Sequence, residues 1–158
     1  MSGPKVGDKA PEFTLAGTDG TDEGHRHYTL AEYQGQPVVL AFYPGDNTPV
    51  CTRQLNSYTA EIDQFREVDA VVLAISPQTV ESHDGFSDKQ GGFAFPLLSD
   101  HDKQVGRQYG ILGPVGFYRR SIFVIDGEGV VRYVHRAVAG LSFRPADEVV
   151  AAVSAARA

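Results

Sequence analysis

The sequence predicts an α/β chain: a central mixed sheet with helices on both of its faces. Three observations carry that prediction. Short apolar runs rich in Val, Ile, Ala and Phe occur at 37–43 (PVVLAFY), 70–76 (AVVLAIS) and 121–126 (SIFVID). Their near-continuous apolar character suits strands covered on both faces. Segments of helical periodicity lie between them. A fourth run, VVRYVH at 130–135, alternates more clearly and follows the third through DGEG. That turn signal predicts an antiparallel hairpin, with the fourth strand nearer an edge.

The elements follow in order. AGTDGTDEGHRH at 16–27 is rich in Gly, Asp and Thr and reads as a loop or a hairpin tip. The piece before it is too short to fold alone, so residues 1–158 are expected to form one domain. From 50 to 66, Leu55, Tyr58, Ile62 and Phe65 recur at helical spacing. Residues 79–90 and 102–109 predict a second and a third helix. A last helix is expected over 145–156, with Pro145 at its first position. Strand, helix, strand, helix, short segment, helix, strand, strand, helix is best fitted by a thioredoxin-like sheet.

Composition bounds the function. Hydrophobic residues make up 42% of the 158 residues, enough for one sizeable core, and the formal net charge is −6. An acidic chain with scattered basic residues does not suit nucleic acid or an anionic membrane. No apolar run approaches the roughly 18 residues that span a bilayer. The start, MSGPKVGDKAPEFTL, lacks the apolar stretch of a secretory signal. The single cysteine allows no internal disulfide, and CxxC is absent. The expectation is a soluble cytoplasmic protein in a reducing compartment.

That cysteine lies in FYPGDNTPVCTRQL, residues 42–55. Proline lacks an amide proton and suits the first position of a helix, so Pro49 predicts Thr48 as N-cap and Cys51 as the third helical residue. A capping hydroxyl is expected to accept from a first-turn amide. The free amides and dipole of a helix start favour a thiolate over a thiol, and the thiolate is the nucleophile. The residues thus predict a reactive cysteine without naming its substrate. The alternative is an inert buried thiol, with Thr48 only a cap and Pro44 only a turn residue.

At this point the sequence resembles a known family. Pro44, Thr48 and Cys51 match P-x-x-x-T-x-x-C, the active-site signature of the peroxiredoxins. GDKAPEFTL (7–15), FPLLSD (95–100) followed by Tyr109 and Gly110, and RRSIFVID (119–126) agree in order and spacing. The resemblance runs from about residue 5 to the last helix. Within the family it is most similar to the Q-type group, the bacterioferritin comigratory proteins. The resemblance implies a thioredoxin-like fold and a cysteine peroxidase acting on hydrogen peroxide or organic hydroperoxides, with no cofactor and no metal. It implies that Cys51 is the peroxidatic nucleophile and that Thr48 turns its hydroxyl to the sulfur and the peroxide. Pro44 would shield the pocket, and Arg120 would be the active-site arginine. By analogy the chain would be a monomer or small homodimer.

Two departures refine this. Many Q-type members carry a resolving cysteine five residues after the first, where this chain has Asn56. An outside thiol, low-molecular-weight or thioredoxin-like, is therefore expected to reduce the sulfenic acid, which is a one-cysteine mechanism. The position three after the cysteine, often Glu, is Gln54, which can still hydrogen-bond to an arginine. Arg119 and Arg120 face opposite sides of a strand, so only one can reach Cys51; the motif favours Arg120. His25 and His27 have no evident third metal ligand nearby. His83, His101 and His135 read as surface or structural residues, and Tyr43 reads as core beside the active-site turn. KQGG (89–92) reads as a turn, not a phosphate loop. Two other functions stay open: a peroxide-sensing thiol relay with little turnover, and a binding module in which Cys51 is idle.

Overall fold

The computed structural model describes residues 3–114, 116–137 and 142–157. Among these, seven strands form one sheet in the order β2-β1-β5-β4-β3-β6-β7. They are β1 (Thr14–Thr18), β2 (Arg26–Thr29), β3 (Val38–Phe42), β4 (Val71–Ser76), β5 (Leu97–Ser99), β6 (Ser121–Ile125) and β7 (Val131–Arg136). The central strands β3 and β4 run parallel, while β6 lies antiparallel to β3 and β7 antiparallel to β6. The sheet is therefore mixed, and the alternating run does lie at an edge.

Among the described residues, five α-helices connect or cover the strands: α1 (Pro49–Ala60), α2 (Ile62–Glu67), α3 (Val80–Lys89), α4 (Gln104–Gln108) and α5 (Ala146–Arg157). One core layer packs Leu55, Tyr58, Phe65, Phe86, Val149 and Val153 from α1, α2, α3 and α5 against Val39, Ala41, Val72 and Val124. The opposite layer packs Val105 and Tyr109 with Phe13 and Leu30 against Leu40, Phe42, Leu73 and Phe123. Every side chain of β3 and β6 is buried, which explains why both read as unbroken apolar runs. Among the described residues, no helix is long and apolar enough to cross a membrane.

Two expectations need adjustment, and a third, the hairpin tip at 16–27, holds with tighter bounds. The predicted 50–66 helix breaks at Glu61, whose φ of −103° and ψ of 19° leave the helical region. The apolar spacing survives because Leu55 and Tyr58 before the break, and Ile62 and Phe65 after it, meet the same core layer. Pro145 lies one residue ahead of α5 rather than inside it, and its carbonyl accepts from the amide of Val149. Both ends of the 16–27 segment are strand: β1 and β2 pair antiparallel from Thr14–Thr29 to Gly17–Arg26. Only the middle is a turn. The polar composition of β2 (RHYT) hid its strand character.

Candidate active site

Cys51 sits where β3 hands over to α1. The ladder continues one residue past β3, with the amide of Tyr43 donating to the Ile75 carbonyl at 2.9 Å. The loop 44–48 then turns through Asn47, whose φ of 63° is in the left-handed region that Asn tolerates better than most residues. Helix α1 begins at Pro49, so Cys51 is its third residue, and the thiol is fully buried. Pro44 and Thr48 are exposed on the outer side of the loop.

Thr48 has the extended backbone of an N-cap, but its hydroxyl makes no capping bond. It donates instead to the Gly45 carbonyl at 3.0 Å and so braces the loop. The expected bond to a first-turn amide is absent, and the hydroxyl is turned to the Gly45 carbonyl. The amides of the first turn lack that side-chain acceptor, and the positive end of the helix is open to the charge of the thiolate.

The register of β3 and β6 delivers the cation. Their last registered pair at this end is Phe42 and Ser121, so Tyr43 and Arg120 lie one residue beyond it. Arg120 is buried, 4% exposed, and its Nη2 donates to Cys51 Sγ at 3.2 Å. Its Nη1 donates to Gln54 Oε1 at 2.7 Å. Gln54, one turn after Cys51, passes the contact on: its Nε2 lies 3.4 Å from the Tyr58 hydroxyl, which donates to the Arg144 carbonyl at 2.6 Å. Burial pushes the Tyr58 phenol up to about 12, so it stays a donor. Arg119 points the other way, to the carbonyls of Ala137 at 3.0 Å and Arg136 at 3.5 Å. A buried guanidinium is costly without anionic or polar partners. Gln54 supplies an acceptor but no charge, and the sulfur in contact can supply the charge.

A second polar cluster lies on the other side of the loop. Asp46 and His83 form a buried pair, Nδ1 to Oδ2 at 2.8 Å, with side chains 1% and 0% exposed. Tyr43 and Ser82 also donate to Asp46. Of the two expectations for His83, surface or structural, the structure shows the second: the ring is fully buried. The available signal was its spacing: it precedes the buried Phe86 by three residues on one face of α3. His25 pairs with Asp84 at 2.8 Å at the surface.

With that geometry in place, the chain can be set beside known proteins. Residues 6–134 match the model of the AhpC/TSA family. A Clostridium pasteurianum protein, whose name puts it among the peroxiredoxins in a rubredoxin operon, is 36% identical over 135 residues. The match covers 81% of this chain and 76% of that one. A Coxiella burnetii protein carrying the peroxiredoxin name bcp is 38% identical over 137 residues, covering 82% and 87% of the two chains. Among solved structures, a cysteine mutant of PrxQ from Xylella fastidiosa superposes with a TM-score of 0.84 at 30% identity, covering all of both chains. The reduced 2-Cys peroxiredoxin of Plasmodium vivax gives 0.87 at 26%, covering 96% of each. The match over most of the chain, together with a thiol at a helix start beside a buried arginine, leads to one assignment: this chain belongs to the AhpC/TSA family, the peroxiredoxins, which are thiol-dependent peroxidases.

Proposed function

We propose that this chain reduces hydrogen peroxide and organic hydroperoxides by a one-cysteine mechanism, with Cys51 as nucleophile. The observation that carries the reading is the 3.2 Å contact from Arg120 Nη2 to the sulfur of the sole cysteine, at the third position of a helix. The Cys51 thiolate attacks one peroxide oxygen. An S–O bond forms, the O–O bond breaks, and the cysteine is oxidised by two electrons to a sulfenic acid. The leaving alkoxide or hydroxide takes up a proton. Negative charge moves from sulfur to oxygen, and Arg120 and the helix-start amides stabilise it along that path. Thr48 braces the turn beside the sulfur and rotates its hydroxyl to the peroxide when one binds. Pro44 forms the outer wall.

With no second cysteine, an external thiol condenses with the sulfenic acid and releases water. A second external thiol then exchanges with the mixed disulfide and restores Cys51. The reductant is a low-molecular-weight thiol or a thioredoxin-like protein, and the chain acts in the cytoplasm as one domain, as a monomer or small homodimer. A second reading has one observation in its favour. Cys51 is 0% exposed, which would slow an outside thiol and suit a peroxide sensor with little turnover.

One experiment tests the first reading: intact mass after one equivalent of hydrogen peroxide, with and without a sulfenic-acid trap. Gain of one oxygen, captured by the trap at Cys51, is expected within seconds. No reaction within minutes would reject the peroxidase. Repeated turnover with an added thiol separates the peroxidase from the sensor.

A further inference from the structure

The loop that carries Pro44 and Thr48 turns most of its side chains outward. Pro44, Asn47 and Thr48 are exposed, and Asn47 is left-handed. Its anchor is the side chain between them. Asp46 is buried among three donors: the Tyr43 hydroxyl at 2.7 Å, the Ser82 hydroxyl at 2.7 Å, and His83 Nδ1 at 2.8 and 3.0 Å from its two oxygens. Its backbone amide donates to Gln78 Oε1 at 2.8 Å. The imidazole of His83 is fixed at its other end as well, with Nε2 at 2.9 Å from the Leu98 carbonyl. A carbonyl only accepts, so Nε2 bears a hydrogen. Nδ1 faces the carboxylate, within hydrogen-bond distance of both its oxygens. The ring is thus a strut from β5 to the active-site loop, held at both nitrogens.

The strut is close to the chemistry without touching the sulfur. Tyr43 bonds to Asp46 and lies in the same core layer as Cys51. Burial raises the Tyr43 pKa most, Asp46 next, and charge on Cys51 contributes as well. Nothing in the peroxide step as described uses His83 or Asp46. A buried charged pair is a weak source of net stability compared with apolar residues of the same volume, and its attested benefit is fixing one arrangement.

We propose that Asp46 and His83 are positioning residues for the peroxide step, pinning the loop of Pro44 and Thr48 in register with Cys51. The proposal rests on the peroxidase reading above. Loss of one partner frees the loop and leaves the other polar group buried without its counterpart, so geometry at the sulfur loosens.

The test measures the rate of Cys51 oxidation by hydrogen peroxide, by quenched intact mass, well below each variant's melting temperature. Asp46→Asn and His83→Gln should each slow the reaction about tenfold or more, as a small misplacement does. Amide exchange should quicken at 45–48 while β3 and β4 stay protected. The double variant, in which two amides can still pair, should lose less than the product of the single losses. If either single variant fails to fold, Tyr43→Phe removes one donor to Asp46 and should slow oxidation about two- to fivefold. Folded single variants that oxidise at the wild-type rate would overturn the proposal, as would single losses that simply multiply. If the wild type is not oxidised at Cys51, the peroxidase reading fails instead.

Discussion

Two buried polar networks flank the loop before Cys51, and they are built on opposite plans. On the β6 side, Arg120 reaches the sulfur directly and also donates to the neutral amide of Gln54, backed by Tyr58. On the α3 side, Asp46 and His83 bring charge that is consumed within the pair, and their contacts run to Tyr43, Ser82 and the Leu98 carbonyl. The first network sets a positive charge in contact with the group that must become an anion. The second keeps a carboxylate near that group but ties it to a histidine. The contrast shows how one pocket separates stabilising a charge from holding a loop: a cation in contact acts on the sulfur, and a matched pair acts on the backbone.

The comparison can be broken first at its strongest contact. Arg120→Met should slow oxidation of Cys51 by peroxide about 10²–10³-fold, the usual loss when a preorganised donor is removed from developing charge. Arg119→Met should stay within a fewfold of wild type, because its donors face the carbonyls of Ala137 and Arg136. Equal effects, read by quenched mass spectrometry, would mean that the contact to the sulfur has no special part. Next comes Gln54→Leu, which takes the acceptor from Arg120 Nη1. A misplaced but intact guanidinium should cost about tenfold in the same rate. A loss as large as that of Arg120→Met would make positioning, rather than charge, the main contribution of this side.

Smaller again is the brace inside the loop. Thr48→Ser keeps the hydroxyl that donates to Gly45 and should remain near wild type, whereas Thr48→Val should lose about fivefold. Wild-type rates for the valine variant would show that the hydroxyl is idle. The smallest effect lies away from both networks, at the β6–β7 turn. Burial alone would raise the Asp126 pKa, but the amides of Val130 and Glu128 and the guanidinium of Arg132 outweigh it and lower it. A carboxyl lowered in the fold stabilises it above its unfolded value of about 3.9, and that contribution is lost as pH falls through the lowered value. Asp126→Asn should therefore lower Tm by about 2–4 °C at neutral pH and flatten the acid limb of the stability curve. Its peroxide rate should match wild type; a slowed rate would tie the far turn to the site.

The candidate site was legible wherever it is local. FYPGDNTPVC holds the turn, the proline and the cysteine in one stretch, so the helix start and the third-residue thiol could be read without the fold. The apolar runs gave the central strands for the same reason, since a strand buried on both faces leaves a continuous signature. What failed was also local in cause. The Thr48 hydroxyl could choose between a helix amide and the Gly45 carbonyl, and both are within reach in sequence. The spacing of Leu55, Tyr58, Ile62 and Phe65 ran across the break at Glu61, because apolar periodicity records the face that is buried and not the continuity of the backbone.

By itself, then, the sequence determined a mixed α/β sheet, one thiol at a helix start, and Asn56 where a resolving cysteine would stand. Tertiary structure decided which arginine meets that thiol and what anchors the loop before it. Arg120 is 69 residues from Cys51, and His83 is 37 from Asp46. Each pair depends on strand register or on the seating of a helix against the sheet. The antiparallel register that ends at Phe42 and Ser121 sets Arg120 against the start of α1 and turns Arg119 away. A side chain's own chemistry fixes what it can donate or accept; only long-range packing fixes the partner.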